Sequence, residues 1–162
     1  MLLRHIFAGI VLTACTATSA VAAPSGRVQL VNANSNLCLS PAGGTSNRNE
    51  QTVQYHCDTD PSRAWDILPV EGNIVKIRNV KSGLCLTIAG GGSERNTPSV
   101  QYPCDEDPSR RWVYAPFDNG LFRLVNVASG LCLTIAGGAT GLNDVAVQYP
   151  CDADRSRFFR LQ

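Results

Sequence analysis

Short stretches in which apolar and polar residues alternate recur along the chain. Val28-Gln29-Leu30, Val75-Lys76-Ile77 and Phe122-Arg123-Leu124 carry the period of two that marks a half-buried β-strand. Leu84-Cys85-Leu86-Thr87-Ile88 alternates in the same way and ends on a β-branched residue. Trp65-Asp66-Ile67, Trp112-Val113-Tyr114 and Phe159-Arg160-Leu161 give three more such segments, with Trp65, Trp112 and Phe159 expected in the core. Between them lie Ala-Gly-Gly, Asp-Pro-Ser-Arg and Asp118-Asn119-Gly120, all turn formers. No stretch carries an amphipathic helical stripe of useful length. The pattern predicts an all-β chain.

The same pattern occurs three times. A shift of 47 residues superimposes the chain on itself twice, and Asn79 to Asp105 matches Asn126 to Asp152 at 19 of 27 positions without a gap. The first copy is looser, reading Asn36-Leu37-Cys38-Leu39-Ser40-Pro41-Ala42-Gly43-Gly44. Each copy runs through Val-Gln-Tyr, starting at Val53, Val100 and Val147, to its second cysteine. Helical repeats of similar period fit poorly, and a propeller would want more copies. The expectation is three pseudo-symmetric repeats of about 47 residues, near 27–70, 74–117 and 121–162, with about four short strands each around one core.

Composition narrows the setting. Residues 1–22 read as an export signal: Arg4 supplies the positive charge, Ile6 to Ala14 is an apolar run too short to span a bilayer, and Ala20-Val21-Ala22 offers a cleavage site. That leaves 23–162 as the mature domain, with 13 basic and 13 acidic side chains once Arg4 is removed. Zero net charge disfavours sequence-independent nucleic-acid binding and attachment to an anionic membrane. Cys15 falls in the leader, where Leu12-Thr13-Ala14-Cys15 resembles a lipobox. Lipid anchoring through Cys15 is therefore the alternative to free secretion, and the reading favours secretion.

Six cysteines remain: Cys38, Cys57, Cys85, Cys104, Cys132 and Cys151. An even number in an exported chain argues for disulfides. Six cysteines allow about 15 pairings, and the repeat selects among them. The same 19-residue separation recurs in each copy, so Cys38–Cys57, Cys85–Cys104 and Cys132–Cys151 are expected.

The run Gly-Leu-Cys-Leu, a Gly-rich turn, Val-Gln-Tyr-Pro-Cys and then Asp-Pro-Ser-Arg-Arg-Trp resembles the ricin B-type β-trefoil lectins, including family 13 carbohydrate-binding modules. The resemblance covers the mature chain three times over. It implies a β-trefoil, a pseudo-threefold barrel capped by hairpins, with one potential sugar site per repeat. It further implies sugar contacts two residues after each first cysteine, where the family usually has Asp and this chain has Ser40, Thr87 and Thr134. The implied stacking aromatics are Tyr55, Tyr102 and Tyr149, two residues before each second cysteine. Two further departures stand out. Val53, Val100 and Val147 occupy a position that is polar in the family, and Arg63, Arg110 and Arg157 replace the Gln of its Gln-x-Trp motif.

Asn49, Asn96 and Asn143 recur after the Gly turn, either as sugar ligands or as turn residues with unusual backbone angles. The pairs Asp58/Asp60, Asp105/Asp107 and Asp152/Asp154 each lie near a repeat arginine, so ion pairing and turn capping are expected of them. Gly90-Gly91-Gly92 lacks the Lys-Ser/Thr of a phosphate cradle. His56 is the only histidine after the leader, and nucleophile motifs are absent. Three equal shallow sites suit binding better than catalysis. The sequence therefore predicts a non-enzymatic, secreted extracellular monomer that binds carbohydrate without metal or cofactor. The alternative is a toxin-adhesin or protein-binding trefoil that has lost sugar recognition. Repeat one, with Ser40-Pro41 and His56 where the others have Thr-Ile and Pro, is expected to be the weakest site.

Overall fold

The computed structural model describes residues 22–162; Cys15 and the predicted leader up to residue 21 lie outside the described residues. Twelve strands follow one another: β1 (Gly26–Asn32), β2 (Cys38–Pro41), β3 (Thr52–Tyr55), β4 (Ala64–Glu71), β5 (Ile74–Asn79), β6 (Cys85–Ile88), β7 (Ser99–Tyr102), β8 (Trp112–Pro116), β9 (Phe122–Asn126), β10 (Cys132–Ile135), β11 (Ala146–Tyr149) and β12 (Phe159–Leu161). Six of them close a barrel, because β1 pairs with β12 and β4, β5 with β4 and β8, and β9 with β8 and β12. Closure removes the free edges that an open sheet would leave. The other six form three hairpins, β2–β3, β6–β7 and β10–β11, each hung from one barrel strand. The chain is an all-β trefoil.

The alternating segments point one set of side chains inward. Trp65, Trp112, Phe122 and Phe159 are fully buried with Leu30, Ile77, Leu86 and Leu133 in a single core. The indole N–H of Trp65 donates to the Leu39 carbonyl at 2.9 Å, and that of Trp112 to the Leu86 carbonyl at 3.0 Å. Each indole thus ties the barrel to the first strand of its hairpin. Phe159 cannot make this bond, so repeat three relies on packing there. Cys38–Cys57, Cys85–Cys104 and Cys132–Cys151 are bonded, with Cα atoms 5.0–5.2 Å apart, as the repeat predicts. Each closes a loop worth about 3 kcal/mol on the chain-entropy view.

The hairpins meet around the pseudo-threefold axis, and polar residues hold them there. Thr52, Ser99 and Ala146 are fully buried at equivalent positions; the Thr52 and Ser99 hydroxyls bond each other, and Ser99 donates to the Ala146 carbonyl at 3.1 Å. The middle residue of each Val-Gln-Tyr forms the clasp. Gln54 Nε2 donates to the carbonyls of Ala139 and Gly141, Gln101 to those of Thr45 and Asn47, and Gln148 to those of Gly92 and Glu94. Their Oε1 atoms accept from Ser35, Ser82 and Ser129. A buried amide with every partner satisfied is costly to remove, because its partners are left unpaired. Gln148→Leu is expected to destabilise the protein by about 2–3 kcal/mol. Thermal unfolding followed by circular dichroism should show Tm lowered by roughly 5–10 °C, and an unchanged Tm would remove the clasp from the account.

Candidate functional site

One cavity opens beside each hairpin, and the three have the same construction. That of repeat two, about 280 Å³, is lined by Asn49, Thr87, Gly90, Gly91, Tyr102, Asp107 and Arg110 among others. That of repeat three, about 430 Å³, has Asn96, Thr134, Tyr149, Asp152, Asp154 and Arg157. Repeat one has the smallest, about 240 Å³, with Ser40, Tyr55, Arg63 and Asn143. Ligand pockets commonly run about 300–1,000 Å³, so these are small and suit a compact ligand rather than an extended one.

The floor comes from the hairpin register, which sets Thr87 opposite Val100 and Cys85 opposite Tyr102, with the equivalent pairs in β2–β3 and β10–β11. Ser40, Thr87 and Thr134 are almost fully buried, at 1–2 % exposure, and their hydroxyls are engaged internally. Thr87 Oγ1 lies 3.0 Å from both the carbonyl and the hydroxyl oxygen of Ser109. Thr134 meets Ser156 Oγ at 2.9 Å, and Ser40 donates to the Pro41 carbonyl and to Ser62 Oγ. Each hydroxyl therefore sits in the pocket wall with its proton already committed.

Tyr55, Tyr102 and Tyr149 are half-buried at the rim. Over one face of each lies the guanidinium of the arginine that stands where the resemblance implies Gln: Arg63, Arg110 and Arg157 sit 4.7, 4.8 and 4.9 Å from the ring centroids. A ring so covered keeps at most one face for a ligand, and the cation–π contact holds it in place. The arginines are in turn held by the acidic pairs. Arg110 reaches Asp105 at 3.1 Å and Asp107 at 3.3 Å, and Arg157 reaches Asp152 at 2.8 Å and Asp154 at 3.2 Å; both distances for Arg63, to Asp58 and Asp60, are 3.5 Å.

The second aspartate of each pair also caps a short 3-10 turn. Asp60, Asp107 and Asp154 accept from the backbone N–H of Ser62, Ser109 and Ser156. Hydrogen bonds from the Ser109 hydroxyl and then its backbone N–H hold the Asp107 carboxyl below the usual aspartate range, and Ser156 does the same for Asp154. Both carboxylates stay ionised at neutral pH and below.

The three asparagines are where repeats meet. Asn49, Asn96 and Asn143 are exposed, with φ of 61°, 66° and 63°, a left-handed conformation that Asn tolerates better than most residues. Their backbone N–H groups donate to the carbonyls of Gln101, Gln148 and Gln54, each in another repeat. Asn49 thereby borders the pocket of repeat two, Asn96 that of repeat three and Asn143 that of repeat one. Every pocket is built from two repeats. Sequence reasoning named the tyrosines, hydroxyl residues and asparagines but left out the arginines and aspartates as pocket residues. Their threefold recurrence was visible, but their placement against the rings was not. Among the described residues, no group of three or more His, Cys, Asp or Glu stands close enough to hold a metal ion.

A sequence profile for ricin-type beta-trefoil lectin domain-like proteins matches residues 18–98 and 63–150. No curated protein matches the chain by sequence. Solved structures agree on the fold. The designed 3-fold symmetric protein ThreeFoil superposes with a TM-score of 0.82 at 19% identity, over 84% of this chain and 97% of its own. The Rhizoctonia solani agglutinin gives 0.77 at 17% identity, over 87% and 96%. The ricin B-like lectin of Macrolepiota procera, solved in complex with lactose, gives 0.73 at 16% identity, over 88% and 97%.

Proposed function

The chain belongs to the ricin-type β-trefoil lectin-like family, and from that premise we propose that it is a secreted, monomeric, non-catalytic protein that binds carbohydrate in its three pockets. The observation that carries this reading is the repetition of one pocket design, a tyrosine at the rim, a Gly-Gly turn and an asparagine from the adjacent repeat, at three places on one barrel. A pyranose offers C–H faces to an aromatic ring and hydroxyls to polar neighbours, and the pockets provide both partners. The lactose complex of the Macrolepiota procera lectin places a sugar on the same fold and supports that ligand class.

Affinity should be low at each site. One ring face and a few hydrogen bonds give about millimolar binding, near −4 kcal/mol, so retention depends on several sites gripping one polymer. A glycan array probed with the exported protein tests the reading. Sugar-inhibitable binding to multivalent glycans is the expected result. A clean blank, with the protein folded, overturns it in favour of a trefoil that docks on a protein partner. The intact mass of the exported chain decides its N-terminus: a species starting near Ala23 accords with secretion, and a diacyl adduct on Cys15 with the lipid-anchored alternative.

A further inference from the structure

The carboxylate that the family resemblance would place two residues after the first cysteine is missing from every repeat, yet two of the pockets contain one. Asp107 lines the pocket of repeat two, and Asp154, together with Asp152, that of repeat three. Asp107 and Asp154 enter from the turn after the second cysteine. Their side chains are about half exposed, at 50% and 51%.

A chain of hydrogen bonds aims them. Ser109 Oγ lies 3.0 Å from Thr87 Oγ1 and donates to Asp107 Oδ1 at 2.7 Å, while Arg110 Nη1 donates to Ser109 Oγ at 2.8 Å. In repeat three, Ser156 Oγ lies 2.9 Å from Thr134 Oγ1 and donates to Asp154 Oδ1 at 2.6 Å, and Arg157 Nη1 donates to Ser156 Oγ at 2.9 Å. The contacts to each carboxylate fall on Oδ1. The other carboxylate oxygen, Oδ2, has no hydrogen bond among the described residues. Arg110 and Arg157 are each only 8% exposed and line the same two pockets. Each of these pockets thus presents a fixed acceptor and a fixed donor beside the tyrosine ring. Thr87 and Thr134 meet the serine hydroxyls that hold these carboxylates.

We propose, resting on the lectin reading above, that Asp107 and Asp154 are the hydroxyl acceptors of the two principal sugar sites, paired with Arg110 and Arg157 as donors, and that the ligands are neutral sugars rather than uronic or sialic acids. The charge count supports the exclusion. Two carboxylates, Asp105 and Asp107 or Asp152 and Asp154, face one guanidinium in each site, so a ligand carboxylate meets net negative charge. A hydroxyl donating to a carboxylate makes a bond roughly twice as strong as a neutral one. Repeat one has the same residues, but neither Asp58 nor Asp60 lines its smaller pocket, so its site lacks the acceptor.

The test compares the wild-type protein with the variant carrying both Asp107→Asn and Asp154→Asn, by affinity electrophoresis in galactan, xylan, mannan and polygalacturonate. Asparagine caps turns nearly as well as aspartate, and Asp118→Asn controls for the loss of an exposed carboxylate that lines none of the three pockets. Wild type is expected to be retarded by at least one neutral polymer and not by polygalacturonate. The double variant should bind that polymer at least about tenfold more weakly, whereas Asp118→Asn should bind it as wild type does. A folded double variant with wild-type retardation overturns the acceptor assignment while leaving the lectin reading intact. Preferential retardation by polygalacturonate overturns the neutral-sugar assignment. Retardation by none of the polymers overturns both the assignment and the lectin reading on which it rests.

Discussion

Combining Tyr102→Ala with Tyr149→Ala is expected to bring polysaccharide binding below detection while the protein stays folded. Each ring forms the rim of a principal pocket, and removing it deletes both the apolar surface for a sugar and the contact that steadies Arg110 or Arg157. One site lost from a multivalent contact should weaken retention by about tenfold or more. With both gone only the pocket of repeat one remains, and a single site of about millimolar affinity does not hold a polymer. Tyr55→Ala should matter least. The rings are half-buried rather than core, so the fold should survive with a modest loss from the cation–π contacts, about 0.5–1 kcal/mol each. Tyr→Phe at the same two positions keeps the ring and should keep most of the binding. Isothermal titration with a polysaccharide, alongside circular dichroism, separates these outcomes. Normal binding by a folded double alanine variant would remove the tyrosines from the site.

The largest effect on stability should come from Trp112→Ala. The indole is completely buried between barrel and hairpin, and its N–H satisfies the Leu86 carbonyl. Truncating so large a core side chain costs about 3–5 kcal/mol, and leaving a buried acceptor unpaired adds to it. That sum approaches the whole stability of a small domain, typically about 5–15 kcal/mol. Trp112→Phe is the informative companion, because it copies Phe159 of repeat three. It keeps most of the apolar volume, loses the hydrogen bond, and should cost about 1–2 kcal/mol. Urea unfolding of both variants with the disulfides intact measures the difference. Equal losses for alanine and phenylalanine would mean that the hydrogen bond, not the packing, is what Trp112 contributes.

What could be read from the chain alone was everything carried by local order. Val75-Lys76-Ile77 alternates because one face of β5 meets the core, and that face is set by the geometry of a single strand. The 19-residue cysteine spacing closes within one repeat, so pairing needed no knowledge of the other two. The threefold recurrence supplied the rest of the fold, since three copies that cannot each bury a core must share one.

What only the tertiary structure decided lies at separations that no local pattern reports. Gln148 donates to carbonyls 54 and 56 residues earlier, across a seam that exists only once the barrel has closed. Asn96 follows the Gly turn of repeat two, yet it borders the pocket of repeat three, because the hairpins interlock around the axis. The family resemblance implies Thr87 as a sugar contact, but that its buried hydroxyl pairs with Ser109 depends on the turn before β8 packing against the hairpin. Arg110 could be assigned to the aspartates from spacing. That its guanidinium also covers Tyr102 depends on the turn before β8 folding back over β7, a contact fixed by packing and not by the order of residues.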